Sequence, residues 1–359
     1  MGLVSTRTRF VVGLVLTLLQ GPGCWTSEYL TEQAYGQFKI LHDRKRITEL
    51  LKNRDLPPDW RAKLKLVLAA REYSHKTIGL IRTGAYTYFY DTGGNPIAYN
   101  LSAAPKDALT PKLWTFPVVG SLPYVGFFDH SKGVKSENEL ASHGLDTYLR
   151  PVPAYSSLGW FDDPIFSSML DTDLDRLIEI VIHETTHSTI FLRNQVAFNE
   201  SLAVFVGQQG TLDFLAHRFG AGAPEVTQTR KRIQNRQKFA ALITELYSRI
   251  DTLYKKQIPR ATKLQEREVH FVWAQKEYKR IFVEPREWGA FVQRPLNNAV
   301  LLSYGRYNQG LEFHIAAYNA MGKDLARMVS LYKKAQYFDN PIQYVAKRCG
   351  LIEKFSQTM

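Results

Sequence analysis

Cysteine is almost missing from this chain: two residues, Cys24 and Cys349, in 359. That excludes a framework of several disulfides, so stability has to come from a packed core. Long apolar runs are missing too. Beyond the first twenty residues no segment is long enough to cross a bilayer. Internal repeats and low-complexity linkers are absent, and no domain boundary interrupts the chain. The net charge of +12 is carried by dispersed basic residues, with small groups only at Arg44-Lys45-Arg46 and Arg230-Lys231-Arg232. No basic stripe interleaved with aromatics and no nucleic-acid motif accompanies them, so a solvated charged face accounts for the surplus and no nucleic-acid partner is expected.

What is present suffices for a globular protein: 45% hydrophobic residues and 13% aromatics rule out a disordered chain. At the N-terminus, Arg7 and Arg9 precede an apolar run from Phe10 to Leu19, then Gln20-Gly21-Pro22-Gly23-Cys24. This describes a secretory signal peptide, and Cys24 directly after Gly23 suggests the bacterial lipoprotein type, although Gly21 stands where such signals carry leucine. The expectation is a signal peptide over 1–23 and a single domain over 24–359. The mature protein is then exported and anchored to the membrane of the bacterial envelope through acylated Cys24, facing the periplasm. A Cys24–Cys349 disulfide is the competing arrangement.

Periodicity predicts helices over 28–54 and 60–78. A β-rich stretch follows, in which Gly84–Tyr90 and Ile97–Leu101 flank Asp91-Thr92-Gly93-Gly94-Asn95 as a hairpin signal. Further strands are expected over 117–128 and 145–152, with a helix over 133–143 between them. Helices then dominate: 224–256, 261–282, 296–318, 322–335 and 340–348. The fold class is α+β, a predominantly helical body beside a small antiparallel sheet.

The chemistry concentrates in His183-Glu184-Thr185-Thr186-His187, followed by Glu200 thirteen positions after the second histidine. Leu174, Leu177, Ile178, Val181 and Ile182 recur at helical spacing behind an N-cap signal at Asp171-Thr172-Asp173. On such a helix, positions i and i+4 share a face, so both imidazoles can reach one ion. The next helix reads as Phe198 to Val206, with Gly207 and Gly210 near its end. If it runs antiparallel, it returns Glu200 to the level of the histidines. Two imidazoles and a carboxylate form a Zn²⁺ donor set with a fourth position for water, and Glu184 stands where a general base for that water is needed. The plain alternative is a pair of ordinary helix histidines and a glutamate decorating the next helix.

With these residues in place, the chain resembles a bacterial family of aminopeptidases, exported and often lipid-anchored, whose site pattern is that of the glutamate-ligand zinc peptidases called gluzincins. The resemblance rests on Phe116–Gly120, Gly144–Tyr148 through Ala154–Pro164, His183–His187, Phe198–Ala203, and Asn297-Asn298-Ala299 with Tyr307 beyond. It implies zinc-dependent hydrolysis of peptide substrates, with His183, His187 and Glu200 as ligands and Glu184 as base. The connection from His187 to Glu200 is shorter than is usual in gluzincins. Tyr307 is the candidate donor to the tetrahedral intermediate, with Tyr155 and Tyr304 as alternatives. Asp162 and Asp163 are candidates for holding a substrate amine or orienting a ligand histidine, or equally for capping the turn before Pro164. Glu179, one turn before His183, reads as a surface residue. A zinc endopeptidase and a non-catalytic zinc-binding lipoprotein of the envelope are the alternative functions.

Overall fold

The computed structural model describes residues 24–116, 120–152, 161–282, 288–308 and 310–355. The expected signal peptide, Tyr155, and the stretch up to Trp160 lie outside them. Helix α1 spans Cys24–Asp43, shorter than the expected 28–54. Lys45–Arg46 instead forms strand β1, paired with Phe89 and Tyr88 of strand β2 (Tyr88–Tyr90). The Arg44 and Arg46 guanidinium groups lie 4.0 and 5.0 Å from the Tyr88 ring centre. Cation–π contacts and a short ladder outcompete continued helix here.

Helix α2, Pro58–Tyr73, opens with proline at its first turn and runs into a single π-turn over Ser74–Ile78. Gly79 stops it with φ 83°, a conformation glycine adopts without strain. The expected hairpin does not form. Strand β2 is completed by parallel pairing with strand β8 (Ile165–Phe166), because Phe89, Ile165 and Phe166 bury together.

Strand β3 (Ala98–Pro105) belongs to a separate antiparallel sheet, between β6 (Val125–Phe127) and β7 (Leu145–Val152). A two-stranded pair, β4 (Trp114–Phe116) with β5 (Gly120–Leu122), stands beside it. The register of β3 and β7 sets Asn100 opposite Arg150 and Ser102 opposite Tyr148. Strand side chains alternate, so Asp146, Tyr148, Arg150 and Val152 share one face of β7. Helix α3, His130–Ser142, is capped by Asp129, whose carboxylate accepts from Ser131 N–H at 2.8 Å. It matches the expected 133–143.

Helices then follow as read: α4 (Leu174–Thr189), α5 (Val196–Phe219), α6 (Pro224–Lys255), α7 (Arg260–Ile281), α8 (Asn298–Asn308), α9 (Leu311–Ala320), α10 (Leu325–Ala335) and α11 (Pro341–Arg348). The expected 296–318 helix is therefore two. Gly310, at φ 80°, starts the second in the left-handed region that glycine favours. The architecture is α+β, mostly helical with small sheets, and among the described residues the one departure from antiparallel pairing is β2 with β8.

Helix α4 lies between two cores. Leu177 and Val181 pack with Leu64, Val67 and Phe166, while Ile178 and Ile182 pack with Leu202, Val206 and Tyr332. The buried Thr185 and Thr186 hydroxyls donate to the carbonyls of Val181 and Ile182, at 2.6 and 2.8 Å, so neither hydroxyl is stranded. Its remaining face, with Glu179, His183, Glu184 and His187, is free to line a cleft.

Candidate functional site

Gly207 and Gly210 do not end helix α5; it continues to Phe219. They are points where neighbouring elements press close on it. A Cβ on Gly207 would stand 3.2 Å from the Glu179 carbonyl oxygen and 3.3 Å from His183 Cβ, and one on Gly210 would press Ile78 and Ile182. The connection between the helices is clamped by Asn199. Its side chain accepts from Leu192 N–H at 2.8 Å and donates to Leu192 C=O at 2.7 Å. Close packing at one end and this clamp at the other set the level of Glu200, next to Asn199.

The result is a cluster. His183 Nε2 and His187 Nε2 lie 3.1 Å apart, and Glu200 Oε2 is 3.5 and 3.6 Å from them. Three donors each about 2 Å from one ion stand about 3.3 Å apart at tetrahedral angles, and these separations bracket that value. Two imidazole nitrogens turned towards each other and towards one carboxylate oxygen form an N₂O donor set able to hold a metal ion. All three side chains are largely withdrawn from solvent. Burial opposes ionisation of Glu200, but the His187 and His183 imidazoles outweigh it and hold the carboxyl well below its usual range. Burial disfavours charge on His187 as well; the Glu200 carboxylate reverses this and raises its pKa. His187 Nδ1 is buried without a hydrogen-bond partner among the described residues.

The cluster sits in the wall of a cleft of about 860 Å³. Glu184 lines it beside the triad, and Tyr307 comes in from helix α8. Burial, and then the Glu200 carboxylate, push the Tyr307 phenol up, so it stays protonated at neutral pH. Tyr304 also borders the cleft, but its ring packs edge-on against Phe239 and Phe291 in an aromatic core. Asp162 and Asp163 do not line it; Asp163 is buried, and its carbonyl accepts from Tyr86 N–H at 2.6 Å. The surface reading of Glu179 is corrected: it lines the cleft, with 14% of its side chain exposed, and pairs with Arg236 at 3.0 Å. Asp173 occupies the N-cap position of α4 without capping it, because its carboxylate accepts from Arg232 at 2.7 Å.

Two site residues carried no signal strong enough to be found beforehand. Arg150 reaches into the cleft from β7 and donates to the Tyr307 hydroxyl at 3.3 Å. Tyr124 lines the cleft just before β6, and burial followed by the Glu200 charge pushes its phenol up. Arg150 was the one charge in an otherwise apolar part of a strand, the only clue to its role.

Fold and site together define an α+β chain whose helix-borne His-His-Glu cluster opens into a large cleft. The family described as "Putative aminopeptidase" matches residues 28–341, and the chain belongs to it. Membership makes peptide hydrolysis the activity at family level. Searches of curated proteins and of solved structures found no match to this chain.

Proposed function

We propose that this protein is a zinc-dependent peptidase of the gluzincin type that removes N-terminal residues from peptides. The observation that carries the reading is the convergence of His183 Nε2, His187 Nε2 and Glu200 Oε2 on one point in the cleft wall. These three residues would hold the ion. When bound, zinc supplies a Lewis acid that lowers the pKa of a water and polarises a carbonyl.

Glu184 accepts the proton of the attacking water and returns it to the departing amine. Tyr307 donates its O–H to the carbonyl oxygen as negative charge gathers there. Arg150 supports that role: its N–H takes up a lone pair of the Tyr307 oxygen and leaves the phenolic proton for the substrate. Strand β7 is an edge of its sheet and borders the cleft, a position suited to an extended peptide. Its outward groups are partly occupied, since Leu149 N–H donates to Glu137, Thr147 C=O accepts from Asn297, and Pro151 has no N–H. Backbone pairing along this strand is therefore limited, and side-chain contacts must supply most of the recognition.

The protein is placed in the bacterial envelope, tethered through acylated Cys24, on the strength of Arg7, Arg9, the Phe10–Leu19 run and Gly23-Cys24. No helix among the described residues is long and apolar enough to cross a membrane.

Digestion of a peptide library with zinc-loaded and chelator-treated protein tests the proposal, with cleavage positions read by mass spectrometry. Metal-dependent loss of N-terminal residues is expected. Cleavage in the interior of N-acetylated peptides would point to an endopeptidase, and no cleavage at all would refute the peptidase reading.

A further inference from the structure

Among the described residues the charge lining the cleft is mostly of one sign. Its described lining contains four arginines, Arg150, Arg176, Arg236 and Arg294, against three glutamates and no aspartate. Each glutamate is already engaged or assigned: Glu179 pairs with Arg236, Glu200 faces the two histidines, and Glu184 is the proposed base. A bound divalent cation would add further positive charge. A carboxylate is the group such a cleft attracts.

Arg150 is the best placed of the four to receive it. Arg150 as a residue is partly buried, and no carboxylate among the described residues pairs with it. Among the described residues it donates to the Tyr307 hydroxyl at 3.3 Å and lies 5.6 Å from the centre of that residue's ring. A withdrawn guanidinium has five N–H groups to satisfy, and among the described residues one phenol oxygen takes up one of them. A partly buried charge without a counter-charge is costly, unless a ligand supplies the opposite sign in the working state. Arg236, in contrast, is already neutralised by Glu179.

Distance narrows the choice of substrate group. With the scissile carbonyl oxygen at the Tyr307 hydroxyl, the Arg150 guanidinium lies about two hydrogen-bond lengths, ~6 Å, from the reacting centre. That is the reach of a residue adjoining the scissile bond. We infer that Arg150 binds a carboxylate on the substrate residue next to the cleaved bond, so the protein selects peptides that present a negative charge there. The charge comes either from a free C-terminal carboxylate, as in a dipeptide, or from an Asp or Glu side chain. The bidentate geometry of guanidinium and carboxylate gives such a contact both strength and direction.

This inference rests on the peptidase reading for its alignment with the scissile bond, but its test needs no turnover. Zinc-loaded protein carrying Glu184→Gln is titrated with matched peptide pairs and affinities are measured by calorimetry. One pair is alanyl-phenylalanine and its C-terminal amide; the other is a glutamyl peptide and its glutaminyl counterpart, both amidated. In at least one pair the carboxylate member binds about tenfold or more tightly, as expected for a charge-assisted contact. Adding Arg150→Gln brings that ratio to near one, and Arg150→Lys restores part of it. The pair that shows the ratio identifies the source of the carboxylate. Equal affinities within both pairs, no binding of any member, or a ratio that survives Arg150→Gln overturns the proposal. A chain that shows the ratio but hydrolyses no peptide loses the proposed reaction and keeps the carboxylate site.

Discussion

Gly207 lies against His183: a Cβ added to the glycine would stand 3.3 Å from the histidine's own Cβ, with the Glu179 carbonyl oxygen 3.2 Å away on the same side. Two helices are thus in contact through backbone at the level of the proposed metal ligands, and neither neighbour is the far end of a flexible side chain. Replacing a helical glycine with alanine normally gains up to about 1 kcal/mol of helix propensity. Overpacking a tight contact costs about 1–3 kcal/mol, so the contact outweighs the propensity. Gly207→Ala is expected to lower Tm and to weaken zinc affinity about tenfold by shifting His183. Gly207→Val does more of both. A Gly207→Ala protein with raised Tm and unchanged zinc affinity would show that the helices have room to spare.

Asn199 is the other constraint on the same pair of helices. Asn199→Ala takes the acceptor from the buried Leu192 N–H and one of the two donors from its C=O, which keeps Gln195 N–H at 3.2 Å; the N–H left unsatisfied costs about 1–3 kcal/mol. Asn199→Asp keeps the acceptor but sets a buried carboxylate oxygen against the Leu192 carbonyl oxygen, so it destabilises at least as much as the alanine. Urea denaturation of the three proteins gives the order, and zinc titration shows whether Glu200 moves with the loop.

Tyr307→Phe removes one oxygen, which is both the proposed donor to the substrate and the acceptor for Arg150. Losing a donor of this kind lowers kcat by about 10²–10³-fold. KM and zinc content are expected to change little. An unchanged kcat would remove Tyr307 from the mechanism and leave Tyr124, which borders the same cleft, as the next residue to test.

Acid stability reports on a buried histidine away from the triad. His314 is fully buried between the Ser201 hydroxyl and the Tyr332 hydroxyl, each 2.9 Å from a ring nitrogen. Burial pushes its pKa down to about 3. Its folded pKa is therefore below its unfolded value, ~6.5. The sign follows: above ~6.5 both states are neutral and the group adds no pH dependence. As pH falls from ~6.5 towards 3, the unfolded chain takes up a proton that the folded chain refuses, and stability declines by up to about 1.4 kcal/mol per pH unit. In metal-free protein, a His314→Gln variant is expected to show a shallower decline over that window than wild type, measured by urea denaturation at several pH values. Parallel slopes would mean that His314 titrates normally.

Much of the site was legible because its chemistry is local. His183, Glu184 and His187 fall within five residues on one helix, so helical periodicity alone sets their shared face, and Glu200 follows on the next helix. Most helices were legible for the same reason, being built from short-range periodicity. What escaped depends on distant partners. Arg150 joins the cleft through the pairing of β7 with β3 and its contact with Tyr307, which is 157 positions away in sequence. The Gly93-Gly94 turn suggested a hairpin, but β2 takes its second partner from Ile165–Phe166, where Phe89 finds a place to bury. Gly207 and Gly210 read as the end of a helix, because sequence does not reveal that a second helix presses on them. Glu179 read as surface for want of any sign of Arg236, on a helix more than fifty residues later.

Zinc stoichiometry measured together with turnover tests the central claim most directly. Wild-type protein, Glu184→Gln and the three ligand variants His183→Ala, His187→Ala and Glu200→Ala are each dialysed against zinc, assayed for bound metal, and given the same peptides. One zinc per chain is expected in wild type and Glu184→Gln, with hydrolysis in the first alone; the ligand variants should lack both metal and activity. Ligand variants that keep a full equivalent of zinc, or that hydrolyse peptides at the wild-type rate, would contradict the account.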